Sequence, residues 1–266
     1  MRQPIRLTSG ENPRIKEVLH LRKNRDRRAA GVFIAEGKRE ITRAIAAGLN
    51  VRQFFFCPEL AGAMPNLNLG DAELYELPAK LFSKIAYLEK PEGLLAIFNQ
   101  PAWQLNQLTG DLWLIATGIE KPGNLGAMAR TAAAARCAGL IITDENVDAF
   151  NSNAIRASTG AVFSLPIIEA TSDQAIEFCR HHGIKIVAAT PEANENYTDI
   201  DLTPPTAIVI GAEHQGLNPA WKSVGTQVRI PMAPGVVDSL NASTCAAVLL
   251  FEAVRQKRAP KRQGIK

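Results

Sequence analysis

The apolar residues of this chain follow two different patterns, one on each side of a polar stretch at residues 99–111. Before that stretch, short apolar runs alternate with segments of helical periodicity. The predicted helices are 13–25, 38–47 and 79–86, and the predicted strands are 32–35, 51–57, 73–76 and 94–98. This pattern is typical of a small α/β domain.

After the polar stretch the apolar runs are continuous, as in strands that are buried on both faces of a parallel sheet. The predicted strands are 112–116, 139–143, 162–168, 184–189, 206–210 and 226–230, with helical segments between most of them. Such a sheet is covered by helices and binds ligands at the carboxyl ends of its strands. The 266 residues leave room for two modest cores, and we predict domains at 1–103 and 104–266.

Composition narrows the class of protein. The chain is 46% apolar with a formal net charge of +4, and its positive charge is concentrated in residues 14–28 and 255–266, which favours a polyanionic partner. The four cysteines are far apart and lack Cys-x-x-Cys spacing, so we expect reduced core residues and no metal site. The sequence lacks the apolar window of a signal peptide or membrane span, which predicts a cytoplasmic protein without a membrane partner.

Three polar loops follow strands of the second predicted domain and carry groups that a core does not need. The first, GIEKPGNLGAMAR at 118–130, opens a helix predicted at 125–138. The spacing of Gly123 and Gly126 fits neither the dinucleotide signature nor the Walker phosphate loop. Asn124 is predicted to cap the helix, and Arg130 lies one turn beyond Gly126.

The second and third loops are also rich in polar groups. The second places Glu213 between Gly211 and Gly216, where a carboxylate can accept several backbone N–H groups. His214 beside it is either a general base or polar surface. The third loop leads into a helix that is predicted to begin near residue 239. Its first turn holds more hydroxyl and amide side chains than helix capping needs, namely Ser239, Asn241, Ser243 and Thr244.

Together these loops resemble the three motifs of the SpoU, or TrmH, branch of the SPOUT RNA methyltransferases. The matching residues are Asn124, Gly126 and Arg130 in the first motif, Gly211, Glu213 and Gly216 in the second, and Ile230, Pro231, Met232, Ser239, Leu240 and Asn241 in the third. The segment IRASTGAVFSLPI at 155–167 is similar to the R-A-S-x-G-A segment of these enzymes. The resemblance covers about residues 106–257, and the set of motifs is specific although each motif alone is weak.

The resemblance implies an α/β fold in which a parallel-sheet SPOUT domain ends in a carboxy-terminal trefoil knot. It implies methyl transfer from S-adenosylmethionine to a ribose 2′-hydroxyl of RNA by a homodimer, without a metal. The expected catalytic residues are Arg130, Asn124, Glu213, Ser239 and Asn241, and the expected cofactor-binding residues are Thr190, Gly211, Ile230, Met232 and Leu240.

Arg130 and Lys121 are the basic residues of the first loop. Because arginine hardly ever deprotonates, Arg130 is expected to stabilise the developing alkoxide or to hold an RNA phosphate that accepts the proton. The family often has aspartate where this chain has Lys121, which leaves the role of that position open.

The helix faces at 126–138 and 242–250 are rich in small residues and are the expected partner surface of the homodimer.

The first predicted domain resembles the small substrate-binding domain of many family members, which is similar to RNA-binding ribosomal proteins. The resemblance is carried by FIAEGKREITRAIAAG and KPEGLLAI. It implies that basic residues contact RNA, and the expected contacts are Arg14, Arg22, Lys23, Arg25, Arg27 and Lys38. Because this extra domain is present, we favour ribosomal RNA, most of all 23S rRNA, over transfer RNA.

Two other classes of protein stay open. A dinucleotide-binding oxidoreductase would use Asp144 as its ribose-binding acid, but the chain lacks G-x-G-x-x-G and a catalytic Ser, Tyr and Lys set. A non-catalytic RNA-binding protein would keep the fold without the activity. Binding of S-adenosylmethionine rather than NAD tests the first alternative, and methyl incorporation into RNA tests the second.

Overall fold

The fold is that of a computed structural model, which describes residues 3–144, 147–213, 215–233 and 235–258. The chain divides into two compact units, Met1–Ala102 with Asp148–Ser164, and Trp103–Val147 with Leu165–Lys266. The segment Asp148–Ser164 therefore packs in the first unit, although it lies within the range 104–266 that the sequence assigns to the second domain. The boundary at residue 103 stays a prediction for where separately folding domains meet.

The elements before residue 103 build one mixed sheet with helices. In chain order they are β1 (Ile5–Arg6), α1 (Pro13–His20), α2 (Asn24–Ala30), β2 (Val32–Glu36), α3 (Lys38–Ala46), β3 (Val51–Phe56), α4 (Pro58–Ala61), β4 (Glu73–Glu76), α5 (Ala79–Ile85) and β5 (Leu94–Asn99). The strand order is β1-β4-β3-β5-β2, with β5 antiparallel to both of its neighbours. Apolar residues of α1 and α5, such as Ile15 and Phe82, pack on this sheet.

The basic stretch that was predicted as one helix at 13–25 forms two helices, α1 and α2. Between them Lys23 has an extended backbone. The guanidinium of Arg27 donates to the carbonyl oxygens of Leu21 and Arg22, each at 2.8 Å. Because carbonyl groups at a helix end lack intrahelical partners, Arg27 stabilises the break in the helix.

The elements after residue 103 alternate between strand and helix. In chain order they are a 3₁₀ helix (Leu105–Gln107), β6 (Leu112–Thr117), α6 (Pro122–Ala134), β7 (Gly139–Thr143), α7 (Ser152–Ala157), a second 3₁₀ helix (Ala161–Phe163), β8 (Ile167–Ala170), α8 (Ser172–His181), β9 (Lys185–Ala189), β10 (Glu195–Asn196), β11 (Thr206–Ile210), α9 (Pro219–Lys222), β12 (Thr226–Arg229) and α10 (Ala242–Arg258). Strands β6 to β12 form a sheet in the order β10-β12-β9-β11-β6-β7-β8, in which every pair is parallel. The predicted parallel sheet is confirmed, and the trefoil knot stays a prediction.

Burial explains why the strands of this sheet are so apolar. The central strands β6 and β11 are buried along their whole length. Trp113 of β6 joins Phe178 of α8 and Trp221 of α9 in one apolar cluster, while α6 and α10 pack against each other and against β6. The small-residue faces at 126–138 and 242–250 therefore contact each other within the chain, where close helix packing needs small side chains.

The strand that was predicted at 162–168 is wrong in its position. Ala161–Phe163 forms a 3₁₀ turn, and β8 begins later. Gly160, the N-cap of this turn, has a left-handed backbone with φ of 84°, which glycine adopts without strain. The apolar ring of Phe163 stacks on Phe33 in the first unit, with ring centroids 5.3 Å apart. The part of the apolar run up to Phe163 thus packs within the first unit, whereas Ile167 and Ile168 belong to β8 of the second.

Candidate active site

A cavity of about 530 Å³ opens at the carboxyl ends of β9, β11 and β12. All the residues that were predicted to bind the cofactor line it, namely Thr190, Gly211, Ile230, Met232 and Leu240. Thr190, Gly211 and Ile230 each directly follow one of these strands, so the sheet fixes where they lie. The cavity is therefore where a parallel sheet is expected to bind its ligand.

The lining of the cavity suits a nucleoside that is joined to an amino acid. The volume falls in the range of small-molecule sites, roughly 300–1,000 Å³. Ile210, Val228 and Leu240 offer apolar surface for an aromatic base, and Glu192 and Lys222 bring charges for polar and ionic groups. These residues fit S-adenosylmethionine, the cofactor that the sequence resemblance implies.

Gly211 allows the second loop to fold back on its own start. Ala212 and Gly216 exchange two backbone hydrogen bonds, of 3.1 and 3.0 Å. A Cβ atom on residue 211 would lie 2.4 Å from the carbonyl carbon of Gly216, a distance that real Cβ atoms do not show. Glycine is therefore required at this position, and the tight loop fixes the backbone on either side of Glu213.

The carboxylate of Glu213 joins all three motif loops. Its Oε2 accepts a hydrogen bond from Lys121 Nζ at 2.6 Å, and its Oε1 accepts one from Asn241 Nδ2 at 2.9 Å. The amide of Asn124 also donates to Oε1. Asn241 Nδ2 lies 3.2 Å from Asn124 Oδ1 as well. The structure thus brings together Asn124, Glu213 and Asn241, three of the residues that were predicted to be catalytic.

The start of α6 explains why the Asn124 side chain reaches Glu213. The helix begins at Pro122, so Lys121 is its N-cap residue and Asn124 lies within the first turn. The predicted N-cap role of Asn124 is therefore wrong, because proline at the first helical position favours this earlier start. Lys121 pairs with Glu213 while 65% of its side chain stays exposed. This position thus supplies a positive charge beside the carboxylate.

The third motif leads into α10, which begins three residues later than predicted. Asn241 caps the helix by accepting the Ser243 backbone N–H at 2.9 Å and the Ser243 hydroxyl at 2.7 Å. The side-chain oxygen Oδ1 of Asn241 thus caps the helix, while its side-chain nitrogen Nδ2 donates to Glu213. Ser239, two residues earlier, lines the cavity.

Arg130 lies outside the Glu213 network. It is exposed on α6, six residues after Asn124, which is about 9 Å further along a helix axis. Within the described ranges, the Arg130 guanidinium has no hydrogen bond or ion pair. The described residues therefore leave its donors available to a ligand.

Sequence reasoning missed several charged side chains on the cavity wall, namely Glu192, Lys222, Arg229 and Asp238. The hydroxyl of Thr190 donates to Glu192 and holds the pKa of that carboxyl below its usual value. The sequence could have indicated Glu192, because it comes two residues after Thr190, just beyond the carboxyl end of β9. His214 lies outside the described residues.

Most of the basic residues that were predicted to contact RNA are on the surface of the first unit. The exposed ones are Arg22, Lys23, Arg25 and Lys38. Arg22 donates to the carbonyl oxygens of Lys84 and Ala86, each at 2.9 Å. Arg14 is half-buried and pairs with Glu73 at 2.9 Å, so its charge is partly balanced within the protein. Of the basic stretch 255–266, the structure describes residues 255–258.

The predicted RNA contact by Arg27 is wrong. Arg27 is 3% exposed, and its Nε donates to Asp148 Oδ2 at 3.0 Å. Together with its bonds to the carbonyl groups at the end of α1, this pair uses the guanidinium inside the first unit. A buried guanidinium cannot reach a phosphate without breaking the fold.

The described residues hold neither a candidate metal cluster nor a candidate membrane helix. Across the described ranges, no group of three or more His, Cys, Asp and Glu side chains is arranged to hold a metal ion. No helix of the described chain is long and apolar enough to cross a membrane. The cysteines are free thiols: Cys57, Cys137 and Cys179 are buried, and Cys245 is half-buried.

Comparison with known proteins gives the family. The model of the SpoU rRNA Methylase family matches residues 111–251, and that of the MRM3-like substrate binding domain matches residues 12–96. A 23S rRNA (uridine(2479)-2′-O)-methyltransferase of Streptomyces viridochromogenes is 33% identical, over 95% of this chain and 92% of that protein. A solved RNA 2′-O ribose methyltransferase is 38% identical with a TM-score of 0.79, over 95% of this chain and 99% of that one. An AdoMet-bound rRNA methyltransferase from Sinorhizobium meliloti is 29% identical with a TM-score of 0.87, over 96% of this chain and 98% of that one. This chain belongs to the SpoU rRNA methylase family.

Proposed function

We propose that this chain transfers the methyl group of S-adenosylmethionine to a ribose 2′-hydroxyl of ribosomal RNA. The observation that carries the proposal is the meeting of three motif loops at Glu213, on the wall of a cavity that fits the cofactor. The relatives named above that act on ribosomal RNA support this substrate over transfer RNA. When bound, the cofactor supplies a methyl group that is already activated by a positively charged sulfur.

Residues of the chain bind the cofactor and orient the groups around the target ribose. Thr190, Gly211, Ile230, Met232 and Leu240 hold the cofactor. Glu213 lines both the cavity and a small cleft beside Lys121 and Asn124. We place the target ribose on this side of the cavity. The carboxylate of Glu213 accepts hydrogen bonds from Lys121, Asn124 and Asn241. Glu213 therefore orients the two amides, and Ser239 lines the same cavity.

Arg130 acts on the nucleophile. A 2′-hydroxyl is a weak acid, and a nearby cation stabilises the oxyanion that develops as the proton leaves. The guanidinium of Arg130 is exposed and uncommitted within the described part of the chain. It stabilises this oxygen directly, or it holds an RNA phosphate whose oxygen accepts the proton.

The amino-terminal unit captures the RNA through its exposed basic residues, which are Arg22, Lys23, Arg25 and Lys38. Such phosphate contacts give an affinity that falls with salt.

The active form is a homodimer, as the resemblance implies, and the 48% exposed Phe251 of α10 supports a partner surface there. Light scattering that gives the mass of one chain would contradict the dimer. We also propose that the protein acts in the cytoplasm.

Methyl transfer from radiolabelled S-adenosylmethionine to ribosomal RNA tests the activity, and alkaline-hydrolysis mapping locates the modified ribose, since a 2′-O-methyl blocks cleavage at its linkage. The Arg130→Ala variant should lose about 10²–10³-fold in turnover. Its affinity for S-adenosylhomocysteine by calorimetry should change by less than about twofold, as expected for a group that acts only in the transition state. Arg180→Ala, at an exposed arginine on α8, is the matched control. Near wild-type turnover of Arg130→Ala would show that Arg130 has no part in the chemistry.

A further inference from the structure

Asp144, the residue after β7, joins four segments of the second unit through one carboxylate oxygen. Its Oδ2 accepts the Thr117 hydroxyl at 3.0 Å and the Ser172 hydroxyl at 2.8 Å, and the Asn218 amide donates to it as well. Asn218 Nδ2 also lies 3.2 Å from Ser172 Oγ. We call these four residues the Asp144 cluster. This carboxylate already has three donors, unlike the free ribose-binding acid of an oxidoreductase.

The backbone of Asp144 is held in an unfavourable conformation. Its φ is 51°, in the left-handed region that few residues other than glycine adopt. Aspartate tolerates this region better than most residues, but such a conformation persists where its surroundings require it. At Asp144 the left-handed backbone occurs together with the hydrogen bonds that hold the carboxylate.

Two members of the cluster lie at the bases of the active-site loops. Thr117 is the last residue of β6, directly before the first motif loop. Asn218 ends the second motif loop and caps α9, because its Oδ1 accepts the Trp221 N–H at 3.1 Å. Trp221 is fully buried in the core. Asn218 is thus held on one side by a buried helix and on the other by Asp144.

The first and second loops are also in close contact near the cluster. An added Cβ on Gly118 would lie 3.5 Å from the Cβ of Ala212, an ordinary contact distance. Ala212 belongs to the folded-back loop that carries Glu213. A shift of either loop base therefore changes the path of the chain to Glu213 and to the cavity wall at Gly211.

We propose that Asp144 is a positioning residue for methyl transfer, which fixes the bases of the first and second motif loops against each other. It acts through Thr117 and Asn218 and keeps Gly211 on the cofactor cavity and Glu213 within reach of its amide partners. The inference rests on the proposed function, since the loops it positions are those assigned to the cofactor and the ribose.

The test exchanges the two partners of one hydrogen bond. Asn218→Asp sets a second carboxylate against Asp144, whereas the double variant Asp144→Asn/Asn218→Asp restores an amide and a carboxylate with their places reversed. We expect Asp144→Ala and Asn218→Asp each to weaken S-adenosylhomocysteine binding by about tenfold or more, because binding must then order loops that the lost hydrogen bond to a charged group held in place. The double variant should return to within about threefold of wild type, because a restored pair shows as non-additivity.

The control is Asp201→Ala. Asp201 also accepts a threonine hydroxyl, from Thr203 at 2.6 Å, but it precedes β11 at the amino end of the sheet. Calorimetry is done well below the unfolding temperature of each variant, so a loss of binding does not report unfolding. Asp201→Ala should bind S-adenosylhomocysteine like wild type.

The outcomes separate this inference from the proposed function. If the wild-type chain binds no S-adenosylhomocysteine and methylates no RNA, the proposed function fails. If wild type is active and Asp144→Ala binds and methylates equally well, the positioning role fails. It also fails if the folded double variant is no better than the weaker single variant. Should Asn218→Asp not fold, Thr117→Val removes one donor and keeps the side-chain shape, and unchanged binding by that variant overturns the inference.

Discussion

The role of Glu213 can be separated from that of a proton acceptor by comparing Glu213→Gln with Glu213→Ala. Glutamine keeps one carbonyl oxygen, which can still accept the amides of Asn124 and Asn241 as Glu213 Oε1 does. It loses the pair with Lys121, a residue whose side chain is 65% exposed. A pair with so exposed a partner contributes at most about 1 kcal/mol.

Alanine removes both amide bonds as well. The Glu213 side chain is 21% exposed, and each amide bond to a charged acceptor there is worth about 1.5 kcal/mol. With up to about 1 kcal/mol for the Lys121 pair, alanine loses about 3–4 kcal/mol, or roughly 150- to 900-fold in the rate of methyl transfer if both amides are needed in the transition state. Glutamine loses the same pair and about 0.5 kcal/mol in each amide bond, because its oxygen is a neutral acceptor, so we expect Glu213→Gln to keep at least about one thirtieth of the wild-type rate.

The assay is single-turnover methyl transfer at saturating RNA and S-adenosylmethionine, with S-adenosylhomocysteine affinity measured in parallel. Single turnover isolates the chemical step from product release. If Glu213→Gln is as slow as Glu213→Ala while both bind S-adenosylhomocysteine like wild type, then the negative charge itself is needed. The reasoning that makes Glu213 an organiser of two amides would then be wrong.

Two further predictions concern stability. Arg27→Ala should lower the free energy of unfolding in urea by about 3–5 kcal/mol, because it leaves Asp148 buried and unpaired, whereas Lys23→Ala at an exposed site should cost less than about 0.5 kcal/mol; similar values for both would contradict the structural role of Arg27. Burial raises the pKa of the Cys137 and Cys179 thiols from 9.0 to about 12, so unfolded thiols ionise at lower pH than folded ones. The stability that the protonated buried thiols contribute is present below pH 9.0 and is lost between pH 9.0 and about 12. The unfolding temperature of a Cys137→Ala/Cys179→Ala variant should therefore fall less steeply over that range than the unfolding temperature of wild type. An equal slope would refute the raised pKa of the two thiols.

The sequence pattern predicted the parallel sheet, because strands that are buried on both faces are continuous apolar runs in the sequence. It also predicted which loops meet, since the carboxyl ends of parallel strands share one edge of the sheet. It could not predict which side chains bind Glu213, because the donors come from residues about 90 and 28 positions away in the chain. Motif spacing brings such groups near one another without specifying their bonds.

The same limit applies to charge. Arg27 and Lys23 stand four residues apart in one basic run, and composition treats them alike. The structure separates them, because a break between α1 and α2 turns one guanidinium inward to Asp148 while the other cation stays exposed. A basic run predicts a polyanionic partner only through those of its members that the fold leaves on the surface.

The two carboxylates of the site explain how its loops are held before any ligand binds. A loop tied at one point can still rotate about that point, whereas a loop tied at two points has its orientation fixed. The second motif loop is tied at Glu213 to the first and third loops and at Asn218 to Asp144. The first loop is likewise tied at Thr117 to Asp144 and at Asn124 to Glu213. Because the order of these loops is set by the protein's own bonds, binding energy from the cofactor and the RNA is not consumed in ordering them, and it remains available for the transition state.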